Sequence, residues 1–288
     1  MTGPATTRQA KDIEDPNHDP AALEPLGPST WVTGYEPSWV AFGGILGGLV
    51  VASLARAAEQ AAGRRAATVA VHFHSPVTPG SAELKADVIR EGRSAASVSV
   101  VARQEKLRAS ALVLLEGDGD QAPPGGLPPL ADPMPASAPE QSPPLERAPG
   151  GVELPFFEHV EIRPTGDSRP LASGPDAVLR AWIRPRRAID DPVTRAAVLL
   201  DALAPSLFAI WHEPVLIPTI ELTMHLAPAG PVSEWSAISQ RTVWFNDAYC
   251  VDEADLRNDD GSLIAQARQR RKLLGQSAGS WGTGERQR

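Results

Sequence analysis

Asp201 and Gln269 have side chains whose types could do chemistry at positions where polarity is costly. Gln269 continues the alternation of Leu263, Ala265 and Ala267, the parity that faces the inside of a strand. Asp201 sits within an apolar helical stretch, residues 195–203. A carboxylate accepts protons, and an amide both donates and accepts hydrogen bonds. Burying an Asp without partners costs several kcal/mol. The pair is therefore either a satisfied structural network or a site, and these residues alone leave both open.

The pair stands out because the chain repeats itself. Residues 68–74, TVAVHFH, lie over residues 219–225, TIELTMH, and residues 105–111 lie over residues 261–267. In that alignment Gln269 falls on Val113, and Asp201 falls on Gly48. One copy thus holds an amide and a carboxylate where the other holds Val and Gly.

Other chemistries find less support. His72, His74 and His225 take the non-core parity of their strands, with no Cys or carboxylate at ligand spacing, so neither a metal nor another cofactor is expected. There is no G-x-S-x-G serine-nucleophile motif. Cys250 is the one cysteine, which excludes an intrachain disulfide and fits a reducing cytoplasm. A net charge of −8 argues against nucleic acid as a partner.

Elements must position these residues, and the chain offers them in order. Residues 1–29 are polar and acidic and read as a flexible leader. Residues 39–56, WVAFGGILGGLVVASLAR, are uncharged until Arg56. The run is short for a membrane span and is followed by amphiphilic strand sequence, and its acidic leader does not suit a signal peptide. It reads as a helix buried in a domain, ending at Gly63. Alternating strands follow at 68–74, 82–90, 95–103 and 107–115. Residues 117–154 are rich in proline and read as a linker. Strands then follow at 157–163 and 177–184, a helix over 195–203 capped by Asp190-Asp191-Pro192, strands at 219–226 and 235–246, a turn at Asp259-Asp260-Gly261 and a last strand over 263–269. Residues 275–288 read as a disordered tail. Helix followed by antiparallel strands, twice over, is an α+β pattern.

FGG at Phe42, Gly43 and Gly44, then VHFHSPVTPG and REGRSA, resembles the first half of the acyl-CoA thioesterase II family; LLDA, PTIELTMH and DDGSLIAQARQ resemble its second half. The resemblance implies a double hotdog, with two antiparallel sheets each wrapped around a central helix, at residues 30–116 and 155–274. It further implies hydrolysis of an acyl-CoA to free acid and CoA, in the cytoplasm, by a homodimer without membrane insertion. Asp201, Thr219 and Gln269 would hold and activate the attacking water, with Phe42, Gly43 and Gly44 near the substrate and helix N–H groups facing the oxyanion. Thr219 is out of phase with Ile220, Leu222 and Met224, so it needs a bulge to reach the others. The basic run Arg268, Arg270, Arg271 and Lys272 reads as a solvated strand end more than as a seat for CoA phosphates. Two other functions remain: an acyl-CoA-binding protein without turnover, and an enoyl-CoA hydratase, which would need a His beside the helix Asp; His212 lies beyond Pro205.

Overall fold

The computed structural model describes residues 19–117, 135, 137–148, 151–166, 169–228 and 230–274. Most of the expected leader, much of the expected linker and the whole expected tail lie outside these residues.

Twelve strands are seen among the described residues. The first half contributes β1 (Glu24–Gly27), β2 (Thr30–Tyr35), β3 (Ala66–Phe73), β4 (Gly80–Glu91), β5 (Ala95–Arg103) and β6 (Leu107–Glu116). The second contributes β7 (Val160–Pro164), β8 (Val178–Pro185), β9 (Thr219–Leu226), β10 (Ser236–Phe245), β11 (Tyr249–Asn258) and β12 (Leu263–Lys272). They form one sheet, in the order β1-β2-β4-β5-β6-β3-β9-β12-β11-β10-β8-β7, antiparallel throughout. This corrects the expectation of two sheets, because the halves join edge to edge through β3 and β9, with Val69 opposite Met224 and Val71 opposite Leu222. Joining them there hides two strand edges at once.

Alternation builds the inner face. On β5, Ala96, Val98, Val100 and Ala102 are buried, and on β6 Ala109, Ala111, Val113 and Leu115 are. Against that face lie α1 (Gly47–Ala62), packed on strands of the first half, and α2 (Pro192–Leu200), packed on those of the second. The helices also cross each other. No helix among the described residues is long and apolar enough to cross a membrane.

α1 starts eight residues later than the apolar run, at 47 rather than 39. Residues 37–39 form a 3-10 turn, Val40 bridges Ile45, and the turn between them holds Gly43 at φ +86°, which favours glycine. The helix ends as expected, on Gly63 in the left-handed conformation. α2 begins at Pro192, with the Asp191 carboxylate accepting from the Thr194 N–H at 2.7 Å. The leader is not loose to residue 29: β1 lies inside it and Ala21 is buried. Part of the expected linker also packs on the fold. Leu145 N–H donates to the Ile162 carbonyl of β7 at 2.7 Å, and Trp182 Nε1 donates to the Ser137 carbonyl at 2.7 Å. That segment shields the β7 edge.

Candidate active site

The helix crossing brings Asp201, at the C-terminal end of α2, against the N-terminal end of α1. The first residue outside α1 is Leu46, which has no side chain able to cap the helix. The cap comes from the other half instead: Asp201 Oδ2 accepts from the Gly48 N–H at 2.9 Å. Such close approach explains the second glycine pair. A Cβ on Gly47 would meet Asp201 Oδ2 at 2.8 Å, and one on Gly48 would meet the Ala197 carbonyl oxygen at 2.2 Å.

Gln269 reaches the same place from β12, where it is buried among the inward residues. Thr219 opens β9, and its pairing holds the irregularity that parity demanded: Arg270 opposes Glu221, but Arg271 opposes Thr219. The extra residue, Ile220, shifts Thr219 onto the inward register. Its hydroxyl donates to Gln269 Oε1 at 3.0 Å. Gln269 Nε2, on the opposite side of the amide, is buried and turned toward Asp201, without a well-formed hydrogen bond.

Behind these three stands a second layer of polar groups. Arg271 Nη1 donates to Thr219 Oγ1 at 2.9 Å. Arg271 Nε lies 2.9 Å from Asp252 Oδ2, and Thr242 Oγ1 donates to Asp252 Oδ1 at 2.7 Å. The basic run therefore divides. Arg268 is exposed and lies 3.7 Å from Glu253, Arg270 lies over the Tyr249 ring, and Arg271 is buried in the polar network. Sequence parity carried the signal, since Arg271 continues the series Ala265, Ala267, Gln269. Asp252 likewise shares the inward face of β11 with Cys250, Ala254 and Leu256, a strand that the sequence reading passed over.

Burial pushes the Asp201 carboxyl above its ordinary pKa, against the opposing pull of Arg271, the Gly48 N–H, Gln269 and the Gly47 N–H. The carboxyl is half-buried and borders a cavity of about 370 Å³, which Thr219 and Arg271 also line. Most of the remaining wall is apolar, with Phe42, Phe73, Phe156, Phe208 and Ile217 among its residues. Gly43 and Gly44 line it through the turn before α1. The structure thus brings Asp201 and Thr219 onto the wall of a space that Phe42, Gly43 and Gly44 also border, with Gln269 bonded to Thr219 and not itself lining that space. The Gly48 N–H, at the N-terminus of α1, is donated to Asp201. Among the described residues no group of three or more His, Cys, Asp and Glu could hold a metal ion. His74 and His225 instead meet hydroxyls, Ser110 at 2.9 Å and Thr68 at 3.2 Å.

Residues 35–115 match the acyl-CoA thioesterase N-terminal domain, and residues 139–270 match the acyl-CoA thioesterase C-terminal domain. Among curated proteins none matches the chain. Among solved structures, a Thermobifida fusca protein described as a thioesterase II is 23% identical at a TM-score of 0.75, covering 88% of this chain and 96% of that one. A hot dog fold protein of unknown function from Alicyclobacillus acidocaldarius is 20% identical at 0.75, covering 90% and 97%. The tesB protein of Mycobacterium avium subs paratuberculosis is 19% identical at 0.71, covering 88% and 96%. At these identities the structures establish the shared hotdog fold, and the two domain matches, in order along one chain, establish that this protein belongs to the acyl-CoA thioesterase family.

Proposed function

We propose that the chain hydrolyses the thioester of an acyl-CoA to free acid and CoA at one site per chain. The observation that carries this is Asp201, a carboxyl with a raised pKa at the edge of an apolar cavity, with the Gln269 amide beside it. A water between Asp201 and Gln269 would give its proton to the carboxylate while its oxygen attacks the thioester carbonyl. Thr219 fixes the Gln269 amide so that Nε2, not Oε1, faces the water. Collapse of the tetrahedral intermediate expels the CoA thiolate, a leaving group that needs no strong acid. The first half has Gly48 and Val113 at the matching positions and so has no means to repeat the chemistry.

The test is release of free thiol from acyl-CoAs of graded chain length by the purified protein. Turnover that is lost in Asp201→Asn supports hydrolysis. Acyl-CoA binding without turnover would select the non-catalytic alternative.

We propose also that the protein works as a homodimer in the cytoplasm. Leu112 and Leu114 supply the motive for assembly, being 53% and 44% exposed on the outer parity of β6. Light scattering should report twice the 30.5 kDa chain mass at micromolar concentration. A 30.5 kDa species alone would refute assembly.

A further inference from the structure

Gln269 can serve Asp201 only one way round. Its amide accepts through Oε1 and donates through Nε2, and half a turn about its last side-chain bond exchanges the two. In the structure Oε1 accepts from the Thr219 hydroxyl at 3.0 Å, and Nε2 is turned toward Asp201. Thr219 does not decide this alone, because a hydroxyl accepts as well as donates. With the amide reversed, the same oxygen could receive an N–H from Nε2.

Arg271 removes that freedom. A guanidinium donates and never accepts, and Arg271 Nη1 donates to Thr219 Oγ1 at 2.9 Å. The hydroxyl oxygen is then engaged by a cation, and its proton is left for Gln269 Oε1. A reversed amide would instead bring further N–H donors toward that oxygen, beside the Arg271 charge. Arg271 is itself held in place. It is buried on the inward parity of β12, its Nε lies 2.9 Å from Asp252 Oδ2, and Thr242 Oγ1 donates to Asp252 Oδ1 at 2.7 Å.

The first half shows what the framework itself requires at these places. By pairing register Ala66 opposes Leu115 as Thr219 opposes Arg271, and Val98 opposes Val113 as Asp252 opposes Gln269. Ala66, Val98, Val113 and Leu115 are all buried. The same ladder therefore packs without any of the four polar groups. A buried ion pair is often no more stabilising than apolar side chains in its place, yet Arg271 and Asp252 stand in the half that carries Asp201.

Resting on the proposed acyl-CoA hydrolysis, we infer that Arg271 is a positioning residue: anchored by Asp252, it directs the Thr219 proton onto Gln269 Oε1 and so turns Gln269 Nε2 toward Asp201. Its charge has a second effect. Burial raises the Asp201 pKa, and the groups that pull against it are Arg271 and Gln269 on β12 and the Gly48 and Gly47 N–H groups on α1. Of these Arg271 is the charged one, so it favours the ionised carboxylate that takes the proton of water.

The experiment places the first half's apolar residue types in the second, as Arg271→Leu combined with Asp252→Val in the full chain, so that no carboxylate is stranded. Thermal melts should find this double variant at or near the parent. By NMR the Gln269 side-chain amide protons, assigned by their loss in Gln269→Ala, should exchange with solvent about tenfold faster than in the parent, the worth of one hydrogen bond. In thiol release kcat should fall about tenfold or more with KM little changed. The acid limb of the pH profile should move to higher pH, since the cation that favours ionised Asp201 is gone. Arg271→Lys keeps the charge and a partner for Asp252 but loses the planar fork, so its limb should stay while kcat falls and amide exchange quickens. Parent-like amide exchange in both variants overturns the inference, and so does a parent-like kcat in both. If the parent releases no thiol, hydrolysis itself fails, and amide exchange alone decides whether Arg271 orients Gln269.

Discussion

At Asp201 one carboxylate answers to two helices of opposite sign. It sits at the C-terminal end of α2, where a negative charge is disfavoured, and at the N-terminal end of α1, where it is favoured. Burial outweighs the favourable contacts and raises its pKa. A carboxyl whose pKa is higher folded than unfolded adds stability below its unfolded pKa, and that contribution is lost as pH rises through the folded pKa. Asp201→Asn should therefore melt at or above the parent temperature at pH 7, with the difference closing in acid, while kcat falls about a hundredfold or more. For the parent, kcat/KM should rise with pH through a midpoint above the ordinary carboxylate range, as thiol release across pH will show. Arg271→Leu should act oppositely on stability. It strands Asp252, and breaking a buried pair costs about 3–5 kcal/mol, measurable by denaturant titration. Asp201 and Gln269 were legible because the repeat offered an apolar control for each. Asp252 and Arg271 were not, because their charges suggested solvent and masked an inward parity that Cys250, Ala254 and Gln269 share with them. Thr219 needed the bulge opposite Arg270 and Arg271, which alternation alone does not reveal.

Among the elements, the crossing of α1 over α2 sets the distance between Asp201 and Gly48. Gly48→Ala places a Cβ 2.2 Å from the Ala197 carbonyl oxygen, a backbone atom that cannot rotate away. The helices must separate, at about 1–3 kcal/mol, and turnover per folded molecule should fall because Asp201 moves with α2. Denaturant titration and thiol release on the same preparation separate the two effects. α2 and most long strands were readable from caps and alternation. The start of α1 was not, because hydrophobicity runs unbroken across 39–56 while the break comes from backbone, at Gly43 and the Val40–Ile45 bridge. β11 was missed since Asp252, Glu253, Asp255 and Arg257 blur its alternation, and β1 and β2 are too short to announce themselves.

Over the whole molecule, two similar halves share one sheet but only one of them carries the polar pair. Val113→Ala, on the apolar side, should cost about 2 kcal/mol through its cavity and leave the rate per folded molecule unchanged. The junction of β3 and β9 gives that asymmetry its reason. Two free copies meeting along such an edge would associate by a two-fold axis, and every residue on one would recur on the other. With Gly48 aligned on Asp201, and the two in contact, identical partners would have to set Asp against Asp or Gly against Gly. The first drives two carboxylates together, and the second leaves no acid at all. A covalent tether lifts the restriction. It turns association into an intramolecular event, independent of dilution, and lets each copy mutate alone. Asp facing Gly is an arrangement that two identical chains on a two-fold axis cannot hold and that a fused chain can.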